Sequence, residues 1–292
     1  MSSTTRRSSF DRILIDLNTQ CDLLLPRGAL PVTNRAAILP NIRRLMNWGR
    51  VERVPIISSL ESHRPGESSR GLPSYCVDRT SGQRKIPFTL MPRRVVFAGD
   101  NTIDLPIDVF RRFQQVIFTK RCRDFLSNPK ADRLMQAVAV NHLVIFGTVA
   151  EHCVKAAALG LLARQHRVAV VTDACGFWSA TDADLAMRQI EAKGAILVTT
   201  EELISGAADE RIRNSRPSPP VVEEVEVPID GNGSRSHNGN GRKRILPGFG
   251  VVTAGADGPP ARRDASRKLR PDVRSRKGGA GVPPTHPSSG LA

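Results

Sequence analysis

The chain has no apolar run approaching the roughly 18 residues that a membrane span needs. Its first apolar stretch, ILIDLNTQCDLLL, is broken by Asp16, Asn18, Gln20 and Asp22, so the basic, Ser-rich MSSTTRRSSF before it does not read as a signal peptide. Cysteine is sparse: five residues, at 21, 76, 122, 153 and 175, odd in number, scattered and without CxxC spacing. This excludes a disulfide framework and a zinc finger, and predicts reduced thiols in a cytoplasmic protein. Acidic residues are also short, with 28 Asp and Glu against 43 Lys and Arg, a formal net charge of +15 over 292 residues.

The location of that charge bears on its meaning. From Ala207 onward there are 15 Lys and Arg against 9 Asp and Glu, a net +6, so most of the excess is spread over the rest of the chain. Residues 207–292 are rich in Gly, Pro, Ser and Arg and show little periodicity. Such a segment cannot bury enough apolar surface to offset about 1–2 kcal/mol of backbone entropy per residue, so a disordered tail is expected. Its GRKRILPGFG and RSRKGG stretches are candidates for weak, nonspecific contact with nucleic-acid phosphates.

Between a flexible N-terminus, 1–9, and that tail, residues 10–206 read as one domain. RILIDL, VPIISSL, QVIFTK, HLVIFGTV, RVAVVTDA and AILVTTEEL are short apolar strands, separated by segments such as RAAILPNIRRLMNWGR and ADLAMRQIEAKG with apolar residues at helical spacing. This alternation predicts a doubly wound, three-layer α/β/α fold with a mostly parallel sheet. Ligands of such folds bind beyond the carboxyl ends of the strands. Asp16 ends the first strand, Lys120 the third, and Cys153 follows HLVIFGTV where a helix begins. An acid, a cation and a thiol brought to one sheet edge suit a nucleophilic site, and the helix N-terminus predicts a lowered thiol pKa.

The ordered motifs IDLNTQCDLLLPRGAL, LPSYCVDRTSGQRKI, FTKRCRDF, GTVAEHCV and VVTDACGFWSATDADLAMRQIEAKGAILVTTEEL resemble those of the isochorismatase-like cysteine hydrolases, which include nicotinamidases and pyrazinamidases. The resemblance spans about residues 10 to 206. It implies a triad of Asp16 as general base, Lys120 and the nucleophile Cys153. It also implies an oxyanion hole from the amides of Val149 and Cys153, exposed by a cis peptide between Thr148 and Val149. The implied reaction is hydrolysis of a small non-peptide amide through a thioester, with Gln20, Leu23, Leu72 and Tyr75 near the substrate. Expected partners are that amide and further copies of the chain, with no membrane.

Departures from the family pattern narrow this expectation. Metal-binding relatives use an Asp and three His, whereas here Glu61 and His63 are the only weak candidate ligands; Tyr75 replaces a His, and Ser68 and Ser69 fill the region of another. No cofactor is therefore expected. Leu23 and Leu72 stand where pyridine-binding relatives place aromatic rings, and Arg79 replaces a Gly as a candidate carboxylate binder. Two other readings stay open at this stage. One is a vinyl ether hydrolase of the isochorismatase type, against which Cys153 argues. The other is a binding or scaffold protein with an altered site.

Overall fold

Segments such as RILIDL and VIFGT are too short and too rich in β-branched residues to be stable helices, and they pair instead. The computed structural model describes residues 9–215 apart from 68–71, 101 and 107. Its strands are β1 (Ser9–Leu17), β2 (Ile56–Glu61), β3 (Arg94–Phe97), β4 (Gln115–Lys120), β5 (Ala139–Thr148), β6 (Val168–Gly176) and β7 (Ile196–Val198). Its helices are α1 (Cys21–Leu24), α2 (Arg35–Val51), α3 (Val109–Arg112), α4 (Pro129–Ala137), α5 (Lys155–Ala163), α6 (Ala180–Ala192), α7 (Thr200–Ile204) and α8 (Asp209–Asn214). They build one seven-stranded sheet in the order β3-β4-β2-β1-β5-β6-β7, with every neighbouring pair parallel. The chain runs outward from β1 in one direction and returns to β5 to run in the other. The carboxyl ends of β1 and β5 therefore flank the crevice where such sheets bind ligands.

The twofold alternation of each strand divides the core into two layers. Ile13, Ile15 and Leu17 of β1, Ile57 of β2, and Val116 and Phe118 of β4 pack under Leu134 of α4, Leu161 of α5 and Ile190 of α6. Leu14, Ile56 and Phe146 face the other way, against Ile38, Ile42 and Leu45 of α2, Leu203 of α7 and Ile212 of α8. Each of these fully buried aliphatic side chains contributes roughly 1.5–3 kcal/mol. One edge strand escapes the sequence reading, because RVVF is four residues long and alternately exposed.

The fold also continues past residue 206. Ala208 and Ile212 are fully buried, and Arg167 donates from Nε to the Ser215 carbonyl at 3.2 Å. Residues 1–8 and 216–292, which hold almost all of the basic tail, lie outside the described residues, as do Ser68 and Ser69. Among the described residues, no helix is long and apolar enough to cross a membrane.

Candidate active site

β5 approaches β1 closely at Gly147, whose φ of 118° and contact with the Leu17 carbonyl leave no room for a Cβ. Thr148 follows, its hydroxyl donating to the Asn18 carbonyl at 2.8 Å, and the Thr148–Val149 peptide is cis. A π-helical turn, Ala150–Val154, then leads into α5 and carries Cys153. The thiol is thus one turn inside the start of a continuous helical segment, 3% exposed and facing the crevice.

Two charged groups meet it there. Lys120 Nζ lies 3.4 Å from Cys153 Sγ, and the thiol donates to Glu61 Oε2 at 3.7 Å. Lys120 and Glu61 are direct register partners at the ends of β4 and β2, 3.3 Å apart. Both continue the alternation of the inward residues on their strands: Glu61 follows Ile57 and Ser59, and Lys120 follows Val116 and Phe118. Asp16 does not join them. It shares the parity of Leu14 and so faces the opposite layer, where Lys85 Nζ reaches Oδ2 at 2.8 Å, Ser58 donates to Oδ2 at 2.9 Å and Thr19 to Oδ1 at 2.8 Å. The expected Asp16, Lys120, Cys153 constellation is therefore replaced by Glu61, Lys120 and Cys153. Carboxyl-end placement alone does not decide which face a side chain takes; strand parity does.

Asn18 and Gln20 hold Glu61 in place. Asn18 takes a positive φ of 47°, a conformation Asn tolerates well, which turns its amide toward the crevice. Its Nδ2 donates to Glu61 Oε2 at 2.8 Å, and its Oδ1 accepts from Ser59 at 2.6 Å. The Gln20 side chain brackets the Glu61 backbone, accepting from its N–H at 2.8 Å and donating to its carbonyl at 2.9 Å. Gln20 thus serves the carboxylate rather than lining the cavity. Leu23 is fully buried in the second core layer, whereas Leu72 and Tyr75 do border the cavity.

Burial alone would raise the Glu61 pKa, but the Lys120 charge and hydrogen bonds from His63 and Tyr75 hold it at about 2. Burial pulls Lys120 down, yet the adjacent thiol and Glu61 keep it raised. The Cys153 thiol is itself raised, first by burial and then by Glu61, against the opposing pull of Lys120. The lowered thiol pKa expected from the helix position is therefore overturned: complete desolvation outweighs the cation.

The cavity over Cys153 encloses about 140 Å³. Val149, His152, Trp178, Arg121 and Arg123 border it together with Leu72 and Tyr75. Trp178 stands edge-on to Tyr75, ring centroids 5.9 Å apart, and edge-on to His152 at 5.5 Å. An aromatic wall is present after all, supplied by a residue after β6 rather than at Leu23 or Leu72. Arg79 is not part of that lining.

The isochorismatase domain model matches residues 13–202. The chain belongs to the isochorismatase family. A search of curated protein sequences finds no match. Among solved structures, the pyrazinamidase of Pyrococcus horikoshii in complex with zinc is 22% identical, with a TM-score of 0.52 over 65% of this chain and 99% of its own. A cysteine hydrolase from Pseudomonas syringae is 18% identical, with a TM-score of 0.53 over 67% and 91% of the two chains. The nicotinamidase of Bacillus subtilis is 13% identical, with a TM-score of 0.53 over 65% and 99%. At these identities the likeness is one of fold.

The zinc named for the Pyrococcus protein does not fit the residues of this family member. Glu61 Oε1 accepts from the Tyr75 hydroxyl at 3.0 Å and lies 3.2 Å from His63 Nε2, while Oε2 is taken by Asn18 and Lys120. Both carboxylate oxygens and the nearest imidazole nitrogen thus already have partners. Among the described residues, no group of three or more His, Cys, Asp or Glu is placed to hold a metal ion.

Proposed function

We propose that the chain is a cysteine hydrolase that cleaves a small non-peptide amide through a thioester, in the manner of nicotinamidases but with Glu61 as the working carboxylate. The observation that carries this reading is the buried contact of Cys153 Sγ with both Lys120 Nζ, at 3.4 Å, and Glu61 Oε2, at 3.7 Å. Sγ attacks the amide carbon while its proton passes to Glu61 and the Lys120 ammonium faces the developing negative sulfur. A carboxylate held at about 2 is a weak base, so the proton moves only as sulfur bonds to carbon. Once protonated, the same group is a strong acid for the departing nitrogen. The amides of Val149 and Cys153 are the donors for the oxyanion, at the positive end of the helical segment. Water then attacks the thioester, gives its proton to Glu61 and releases the carboxylic acid, restoring the thiol.

Cys153 also weighs against the vinyl ether alternative, which has no use for a nucleophilic thiol beside a cation. The test is an ammonia-release screen over small amides. Wild-type protein is expected to release ammonia from at least one of them, with no release by Cys153→Ala and a loss of at least about a hundredfold in Glu61→Gln. Absence of release from every amide, together with no acylation of Cys153 detectable by mass, overturns the reading.

A further inference from the structure

Two guanidiniums, Arg121 and Arg123, border the catalytic cavity together with His63 and His152, and Lys120 is buried against its Cys153 wall, Nζ to Sγ 3.4 Å. Among the described residues, Glu61 is the only acid in that lining, and its oxygens already accept from Asn18, Lys120 and Tyr75, with His63 alongside. The negative charge is thus committed inward, away from the opening. Of the two arginines, Arg121 is paired with Asp78 at 2.7 Å. Arg123 forms no ion pair with any described residue, yet it borders both this cavity and the neighbouring groove at Trp178. Its field also reaches inward: the His152 pKa is lowered by burial first and by Arg123 second.

We propose that the substrate is an acidic amide, whose carboxylate is held by Arg123 at the mouth while the scissile carbonyl sits over Cys153. The proposal rests on the hydrolase reading for the fate of the amide, but not for its binding. A guanidinium matches a carboxylate in geometry as well as charge, and the positive mouth raises the local concentration of such an anion. A cavity of about 140 Å³ suits a short-chain acid, with Trp178 as an apolar wall. The chemical class is the monoamides and ureido derivatives of short dicarboxylic and amino acids.

The test uses Cys153→Ala full-length protein, so that binding is read without turnover, and titrates it calorimetrically with succinamic acid and with its neutral diamide. The acid is expected to bind about tenfold more tightly than the diamide, with an advantage that shrinks as salt rises. Adding Arg123→Gln is expected to reduce the acid to the affinity of the diamide and to leave the diamide unchanged. Arg123→Lys should restore part of the difference. Arg123 is exposed, so an unchanged melting temperature separates this effect from misfolding. Equal affinity for acid and diamide, no binding of either, or an acid advantage that survives Arg123→Gln overturns the proposal. Tight, Arg123-dependent binding of the acid without hydrolysis by wild-type protein upholds the anion site and removes the hydrolase reading.

Discussion

Glu61 gathers most of the polar contacts of the candidate site in one side chain, and its behaviour with pH is a direct check on them. Its pKa falls from an ordinary value of 4.5 to about 2 on folding, so it stabilises the fold fully above the ordinary value. That contribution is lost as pH falls through about 2, and its size is of order 3 kcal/mol. Urea unfolding followed between neutral pH and pH of about 2 should show a decline in this window that Glu61→Gln lacks, although the variant starts from lower stability because Lys120 is left buried without its partner. The thiol behaves in the opposite sense. Cys153 is buried with a raised pKa, whereas Cys122 is exposed. Iodoacetamide near neutral pH is therefore expected to alkylate Cys122 first, and Cys153 only as pH rises beyond the ordinary thiol range. Peptide mass mapping checks the order, and early labelling of Cys153 would mean that Lys120 outweighs desolvation.

At the scale of the element, strand parity decides which of the residues at the carboxyl edge can meet. Asp16 and Lys85 form a pair with side chains 0% and 2% exposed, and burial lowers the Lys85 pKa although Asp16 opposes it. Removing one partner of such a pair costs about 3–5 kcal/mol, because the other charge is left desolvated. Asp16→Asn is thus expected to lose that much stability in denaturant titrations while its folded fraction keeps the reactivity of Cys153. Asp16→Asn combined with Lys85→Met should recover most of the loss. A stable but inactive Asp16→Asn would return Asp16 to the catalytic site.

The same element explains what was readable beforehand. The strand and helix alternation, Lys120 and Cys153 were visible because apolar runs and motif order report directly on a sheet and its carboxyl edge. Asn18, Glu61 and Trp178 were not assigned their parts. Asn18 depends on a positive φ, Trp178 on the route of the loop after β6, and Glu61 on a register pairing with Lys120, 59 residues further along the chain. Counting parity from Ile57 to Glu61 and from Leu14 to Asp16 is the one sequence signal that separates the two carboxylates.

At the scale of the whole molecule, the question is where the cooperative unit ends. Both core layers are closed by residues up to Ile212, and the last buried position among the described residues is Ser215, whose carbonyl is held by Arg167. Residues 216–292 carry a basic, Gly- and Pro-rich composition with few large apolar side chains to add to either layer. A chain ending at Ser215 is therefore expected to melt within a few degrees of the full-length protein and to keep its hydrolase activity, since a few degrees in a domain of this size is about 1 kcal/mol. A chain ending at Ala207 is expected to behave differently. It loses Ala208 and Ile212 from the layer that covers Leu14, and an emptied Ile site costs about 2–5 kcal/mol. Calorimetric melting of the two truncations side by side checks the boundary, and an equal collapse of both would place part of the basic segment on the folded domain.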